Sequence, residues 1–295
     1  MLSRAANTIL AELSLPSAGN AFVFTCSEKL DLAQSVALAF EATGIECHLM
    51  LLGPRIESTF GYLRALIENA AASKSGLVFL LHPAHAPFLF KVVGRPDEGL
   101  RISEETFFCD WFMGAQGLIR TLAVDRDEVV RYRQKLLTRL QPLKRVRITT
   151  PAGTDLMLSP RGWLSTLGEI FTAPVEERSH GKVVIDACVY SGPPRRAISL
   201  TINAGRVTNL DDLDRSDPQQ AMLYKDLTHD ANACVLAELG IGINPGALWD
   251  QDVMESEQAR GTCHVGFGNN GPYGGENASV VHMDLVMNDP HIEAC

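Results

Sequence analysis

The chain has 295 residues, a formal net charge of −9 and a sequence pI of about 5.4, so it lacks the basic surface that nucleic-acid-binding proteins show. Hydrophobic residues make up 46% and charged residues 21%, which is typical of a soluble globular protein. No apolar run approaches the roughly 18 residues of a membrane span, so we expect no membrane partner. The seven cysteines form no CxxC pair and the first residues lack a signal-peptide pattern, so we expect a reduced, cytoplasmic protein.

Strands and helices alternate in the first half of the chain. Short apolar runs predict strands, and segments with helical periodicity predict the helices between them. The strands are predicted at 21–25, 46–52 and 76–81, and the helices at 30–41 and 59–72. This order is typical of a parallel sheet covered by helices.

A further helix is predicted at 126–140, where Asp125 can cap the N-terminus and the apolar residues keep helical spacing. After Leu143 and Lys144 the pattern changes to alternating strands, with helical segments at 218–226 and 228–237. We therefore expect an α/β protein. Its N-terminal parallel-sheet α/β domain spans residues 1–144, and a strand-rich α+β domain that carries the metal site spans residues 145–295.

A strand near the C-terminus places two potential metal ligands side by side. His282 and Asp284 are two residues apart and share one face of the strand, while Met283, Leu285 and Met287 form an apolar face that suits a core. Imidazole and carboxylate together suit zinc, cobalt, manganese or iron. Two interpretations stay open on these residues: a metal site with the upstream His264, or a buried His–Asp pair with a structural role.

Glycines accompany these polar residues. In the segment 238–244, Glu238 alternates with glycines on one face, which indicates that a group approaches the backbone there. The segment 266–271 matches G-x-G-x-x-G, but Pro272 follows at once and no helix can begin there. We therefore expect no dinucleotide cofactor.

Four ordered motifs resemble the thermophilic-type metallo-aminopeptidases, the group that contains aminopeptidases T and S. The resemblance spans about residues 145–290. Its motifs are G-E-I-F-T-A-P at 168–174, A-E-L-G-I-G-I-N-P at 237–245, the segment 255–268, and G-G-E-N at 274–277 followed by H-M-D at 282–284.

The resemblance implies a ligand set and a reaction. Carried over by position, the metal ligands are Glu169, Glu238, His264, His282 and Asp284. Such a set can hold two divalent ions, zinc, cobalt or manganese, about 3.5–4 Å apart. The expected activity is that of a metalloprotease: an aminopeptidase, a hydrolase that releases N-terminal residues from peptide substrates. The resemblance also implies a homo-oligomer, which we expect to be a dimer.

Two further residues lie near this set in the sequence. The resemblance gives Glu257 a catalytic role in proton transfer or in supporting the ligands. The resembled family has a tyrosine shortly after the histidine of its third motif, but here Gly271 stands at that spacing and Tyr273 is the nearby candidate.

Two other functions stay open. A related branch opens dihydroxypyridine rings with a single iron and shares the terminal His-x-Asp motif. Its other iron histidine falls where this chain has Glu238, and it lacks the glutamate at Glu169. Both differences favour the two-metal hydrolase, although two histidines and one carboxylate still form an iron-binding triad. The third possibility is a catalytically silent peptide-binding protein on the same scaffold.

Overall fold

The computed structural model describes residues 1–15, 19–53, 60–85, 89, 104–110 and 112–295. Residue contacts group these into two units, Met1–Val124 and Asp125–Cys295. The fold is α/β, with an N-terminal parallel sheet and a strand-rich C-terminal part, as the sequence predicts. The helix at 126–140 therefore belongs to the second unit. The sequence analysis instead places the domain boundary after this helix, at residue 144. The division into 1–144 and 145–295 stays a prediction.

The first unit is built on four parallel strands in the order β2-β1-β3-β4. Its elements are α1 (Leu2–Glu12), β1 (Asn20–Thr25), α2 (Leu30–Ala42), β2 (Glu46–Leu51), α3 (Phe60–Ala72), β3 (Gly76–Leu80), β4 (Phe107–Asp110) and α4 (Ala115–Leu122). The predicted strands and helices are therefore present, and only Thr59, the first residue of the predicted second helix, lies outside the described residues. Helices pack on the buried strands, which explains why β3 is apolar throughout.

The second unit contains two six-stranded sheets. Its elements are α5 (Arg126–Leu140), β5 (Val146–Thr149), β6 (Asp155–Leu158), β7 (Leu164–Ser165), β8 (Glu169–Thr172), β9 (His180–Ile185), β10 (Cys188–Val189), β11 (Ile198–Asn203), β12 (Arg206–Val207), α6 (Pro218–Leu227), β13 (Leu236–Gly242), α7 (Val253–Ser256), β14 (Thr262–Gly268), β15 (His282–Asn288) and β16 (His291–Ala294). One sheet has the order β10-β15-β14-β13-β8-β7, and the other has the order β12-β11-β9-β6-β5-β16.

Both sheets contribute to one hydrophobic core. Leu156, Val183 and Leu200 come from one sheet, while Val265 and Leu285 come from the other, and all five are fully buried. The same alternation that turns these residues inward turns their neighbours on β14 and β15 to the opposite face. One face of the β13–β14–β15 sheet therefore builds the core and leaves the other face for polar side chains.

The helices of the second unit begin where the sequence supplies caps. The Asp125 side chain accepts a hydrogen bond from the backbone N–H of Glu128 at the start of α5. The predicted helical segment 228–237 is wrong, because the chain turns there and enters β13 at Leu236. The Asp230 side chain accepts a hydrogen bond from the Asn232 N–H, which stabilises a local turn in place of a helix. Among the helices that the structure describes, none has the length and apolar character that a membrane span would require.

Candidate metal centre

Four antiparallel strands bring the five predicted ligands together. Glu169 begins β8, Glu238 lies in β13, His264 lies in β14, and His282 and Asp284 lie in β15. The five residues form two groups that share Glu238, and the ligand atoms of each group lie within 4.8 Å of one another. Glu169 and His264 complete one group, and His282 and Asp284 complete the other. The strand alternation that the sequence predicts for β15 is therefore present, with Leu285 and Met287 in the core.

Glu238 lies between the two imidazoles and presents one oxygen to each. Its Oε1 is 3.6 Å from the Nε2 of His264, and its Oε2 is 3.2 Å from the Nε2 of His282. The outer carboxylates close the two groups: Glu169 Oε2 is 3.4 Å from the His264 nitrogen, and Asp284 Oδ2 is 3.5 Å from the His282 nitrogen. Glu238 is 4% exposed and His264 only 1%, so these groups are held away from bulk water.

Glycines make room for the ligands on the sheet surface. Gly240 pairs with His264 across the strands, and a Cβ there would lie 2.0 Å from the imidazole. A Cβ on Gly266 would lie 2.8 Å from Asp284 Oδ1 and from the Glu238 side chain. The ligand side chains therefore lie flat against bare backbone, which is the close approach that the glycine-lined face of β13 predicts.

The donor set and its spacing fit divalent metal ions. Ligand atoms about 2.0–2.2 Å from a tetrahedral zinc ion lie about 3.3–3.6 Å from one another. The four nitrogen-to-oxygen separations here run from 3.2 to 3.6 Å, mostly longer than a normal hydrogen bond. In addition, Asp284 Oδ1 is buried with no hydrogen-bond partner among the described residues. Glu169, Glu238 and His264 would hold one ion, and Glu238, His282 and Asp284 a second.

The carboxylates make both imidazoles strongly basic in the metal-free protein. Burial alone lowers the pKa of His264, but the nearby carboxylates of Glu238, Glu169 and Asp284 raise it to about 9. Burial also lowers the pKa of His282, whereas the adjacent carboxylates of Asp284 and Glu238 raise it to about 11. The carboxylates of the site therefore stabilise positive charge. In the metal-free protein this charge comes from the protons on His264 and His282.

Glu257 lies next to this site, directly after α7, and is 6% exposed. Burial, followed by the charges of Glu169, Asp284 and Glu238, raises the pKa of Glu257 well above its usual range. Burial likewise raises the pKa of Glu169 to about 7, although the charge of His264 opposes this shift. Glu257 is thus a carboxyl that can hold a proton beside the ligand groups.

Groups that the sequence left open or missed also reach the site. The Tyr273 hydroxyl lies 3.5 Å from the His282 Nε2, so the tyrosine that the sequence offered as the nearby candidate reaches the ligand groups. The His282 Nδ1–H donates a hydrogen bond of 2.7 Å to the backbone carbonyl of Asn269. Phe171 meets the Tyr273 ring edge-on at 5.5 Å between centroids. The Asn269 carbonyl could not be predicted, because every residue has a backbone carbonyl. Phe171 lies two residues after Glu169 on the same strand face, so its position beside the site could have been predicted.

Comparisons with known proteins give one family match and two similar solved structures. The sequence profile of the family described as NicX: 2,5-dihydroxypyridine 5,6-dioxygenase matches residues 116–294, more than half of the chain. A 2,5-dihydroxypyridine dioxygenase structure from Pseudomonas putida KT2440 is similar at 16% identity and a TM-score of 0.66, covering 99% of this chain and 93% of that one. The structure of wild-type AmpT from Thermus thermophilus is similar at 16% identity and a TM-score of 0.63, covering 99% and 94%. No curated protein sequence matches.

At 16% identity the two solved structures support the fold, which is α/β as predicted. The profile match includes every residue of the two ligand groups. The comparisons therefore support an enzyme family with a metal site, and they favour the predicted dioxygenase alternative over the predicted aminopeptidase.

Proposed function

This chain belongs to the family described as NicX: 2,5-dihydroxypyridine 5,6-dioxygenase, and we propose that it is a metal-dependent enzyme. From the geometry of its ligand residues, we further propose that it is a hydrolase acting on the N-terminus of peptides. The observation that carries this proposal is the position of Glu238, whose two oxygens each face a different imidazole. A carboxylate so placed can belong to two metal positions at once. A bound pair of divalent ions would polarise a peptide carbonyl and lower the pKa of a bound water.

The surrounding residues fit peptide hydrolysis. A bound metal ion would accept the neutral free amine of a peptide chain end as a further ligand, which internal peptide bonds cannot supply, so the site would select the N-terminus. Burial and the neighbouring carboxylates raise the pKa of Tyr273, so its hydroxyl stays protonated and can donate a hydrogen bond to an oxygen that gains charge. Glu257 can carry a proton from the attacking water to the leaving amine.

Ring-opening oxygenation of a hydroxylated pyridine is the second candidate, and the family membership favours it. His282 and Asp284 with one further ligand would hold a single iron ion. This chain, however, has the carboxylate of Glu238 and also retains Glu169, and these two residues create the second ligand group. The family comparison and the side-chain geometry therefore favour different reactions, which the number of bound metal ions distinguishes.

The deciding experiment counts metal ions and measures both reactions on the same preparations. The protein is stripped with a chelator and reloaded with zinc, cobalt or manganese, or with ferrous iron without oxygen. We expect two ions per chain and release of N-terminal residues from a peptide panel. The His282→Ala variant should bind one ion fewer and lose peptide turnover, while His291→Ala, at an exposed strand position, should keep both ions and the turnover.

Other outcomes would replace this proposal. One iron per chain with oxygen consumption on a dihydroxypyridine would establish the second candidate. Peptide binding without turnover by any metal-loaded form would indicate a silent binding protein. We also propose that the protein forms a homodimer and that its partner molecule is the peptide substrate. The mass of the metal-loaded protein in solution tests whether it is a dimer.

A further inference from the structure

The connection between β14 and β15, residues 269–281, supplies two contacts to the His282 ring. The Asn269 carbonyl is 2.7 Å from Nδ1, and the Tyr273 hydroxyl is 3.5 Å from Nε2. Once a metal ion replaces the proton on Nε2, the first contact keeps the remaining proton on Nδ1 and leaves the Nε2 lone pair facing Glu238 and Asp284. The placement of this connection therefore decides how His282 is presented to a metal ion.

Asn270 lies at the centre of the connection and is fully buried at 0% exposure. Its backbone carbonyl accepts from the N–H groups of Tyr273 and Gly275, both at 3.0 Å, and its own N–H donates to the Asn277 carbonyl. Its side-chain Oδ1 accepts from the Asn277 N–H at 2.7 Å. A Cβ on Gly275 would lie 2.1 Å from the Asn270 amide, so the loop closes tightly around this side chain.

The Asn270 amide also ties the connection to another part of the unit. Its Nδ2 donates to Glu176 Oε1 at 2.9 Å, and the same oxygen accepts from the Glu276 N–H at 2.8 Å. The other Glu176 oxygen is paired with Arg161. Burial raises the pKa of Glu176, but these hydrogen bonds outweigh it and lower the pKa to about 2, so the acceptor stays charged at neutral pH.

Asn277 provides the second attachment. Its Nδ2 donates to the Gly268 carbonyl at the end of β14 and to the Asn232 carbonyl, at 2.6 and 3.0 Å. Asn270 therefore connects the charged anchor Glu176 on one side with Asn277 on the other. Both ligand-facing groups of the connection, the Asn269 carbonyl and Tyr273, are adjacent to Asn270 or hydrogen-bonded to it.

We infer that Asn270 is a positioning residue, which holds the Asn269 carbonyl and the Tyr273 hydroxyl against His282 and thereby sets the metal affinity of the group containing Glu238, His282 and Asp284. This inference rests on the proposed metal-dependent function. Partners that orient a ligand histidine change metal affinity by about 10–100-fold when they are removed. The hydrogen bonds of Asn270 go to Glu176 and to residues of the loop, so Asn270 acts on His282 through the loop.

The Asn270→Asp variant tests this with minimal change in shape. It keeps the oxygen that accepts from Asn277 but replaces the donor to Glu176 with a charged oxygen, 2.9 Å from another carboxylate. We expect metal affinity, measured by calorimetric titration of the stripped protein with zinc, to fall about tenfold or more for one of two ions. The melting temperature of the metal-free protein is recorded alongside.

Asn209→Asp is the matched control. The Asn209 Oδ1 accepts from the Thr201 N–H at 2.7 Å and its Nδ2 donates to the Ser199 carbonyl, so the substitution removes the same kind of donor. It lies in a different loop that contributes nothing to the ligand groups. We expect its metal affinity to equal that of the wild type even where its melting temperature falls.

A charge-swap pair provides the rescue. Glu176→Gln alone should weaken zinc binding, because a neutral amide oxygen accepts more weakly than a carboxylate. Combined with Asn270→Asp, the new amide can donate to the new carboxylate but no longer accepts from the Glu276 N–H, so affinity should recover in part. Should Asn270→Asp fail to fold, Glu176→Gln alone decides, and unchanged zinc affinity in it overturns the inference.

The outcomes separate this inference from the proposed function. If the wild type binds no metal, the proposed function fails and the inference fails with it. If the wild type binds zinc and Asn270→Asp binds it equally well, only the positioning role is refuted. A fall in melting temperature without a fall in affinity also refutes it, because that is what a purely structural residue would produce.

Discussion

Replacing Gly240 with alanine places a methyl group where the His264 ring lies. The added Cβ would be 2.0 Å from the Cε1 and Nε2 atoms of that ring. Because non-bonded carbon atoms approach to about 3.5 Å, the imidazole must move by roughly 1.5 Å or the strands must separate. His264 is almost fully buried and faces Glu169 and Glu238 through the same Nε2, so this displacement takes the nitrogen out of its ligand group.

Two measurable effects follow from Gly240→Ala. Overpacking of this kind costs about 1–3 kcal/mol, so the melting temperature of the metal-free protein should fall. The group that contains His264 should lose its ion, so titration with zinc should saturate at one ion per chain instead of two. The group built on His282 and Asp284 should remain.

Gly162→Ala is the matched control, because a Cβ at Gly162 meets no atom within 4 Å. This variant should keep both ions and stay within about 0.5 kcal/mol of the wild type, as surface substitutions generally do. If Gly240→Ala binds two zinc ions with unchanged affinity, then the ring does not lie against the strand as described, and the argument from the glycine-lined face is wrong.

Three further predictions concern the ligands and their protons. His282→Ala should abolish zinc binding at one position while the fold is retained, and a preserved stoichiometry by calorimetry would contradict the assignment of this ligand. Glu257→Gln should leave the metal count unchanged and lower the turnover of a peptide substrate by about 10²–10⁴-fold, as expected for a proton-transfer residue; loss of metal would instead make Glu257 a ligand. In the metal-free protein, the raised pKa values of His264 and His282, about 9 and 11, lie above the usual value near 6.5. The stability that they contribute is present below pH 6.5 and is lost as the pH rises through 9 and 11, so the denaturation midpoint should fall over that range, and a flat profile for the wild type would refute the shifts.

The alternation of side chains in β13 and β15 carried most of the sequence-based prediction. Side chains on a strand alternate between two faces, so the sequence predicts that Glu238 shares a face with glycines. It likewise predicts that His282 and Asp284 share the face opposite Leu285. The convergence of the strands themselves was not readable from alternation alone. It depended on the resemblance, since pairing in a sheet joins segments that are remote in sequence.

The groups that prediction missed belong to loops. The Asn269 carbonyl could not be recognised because every residue has one, and Tyr273 was two residues away from the expected spacing. The short helical turn at Gly271–Tyr273 and the left-handed Gly274 that follows it direct the tyrosine to the site. The helix predicted at 228–237 failed for a related reason, because the Asp230 side chain competes for backbone N–H groups in a way that periodicity does not report.

The pairing of β14 with β15 has a consequence for how the site is assembled. Gly266 is opposite Asp284 and Gly268 is opposite His282, while the alternate residues of both strands fill the core. A slip of the pairing by one residue would turn Met283 and Leu285 outward and bury His282 and Asp284 in their place. A misaligned chain would then lose several ligands at once instead of binding metal weakly, so the bound metal would distinguish correctly aligned chains from misaligned ones.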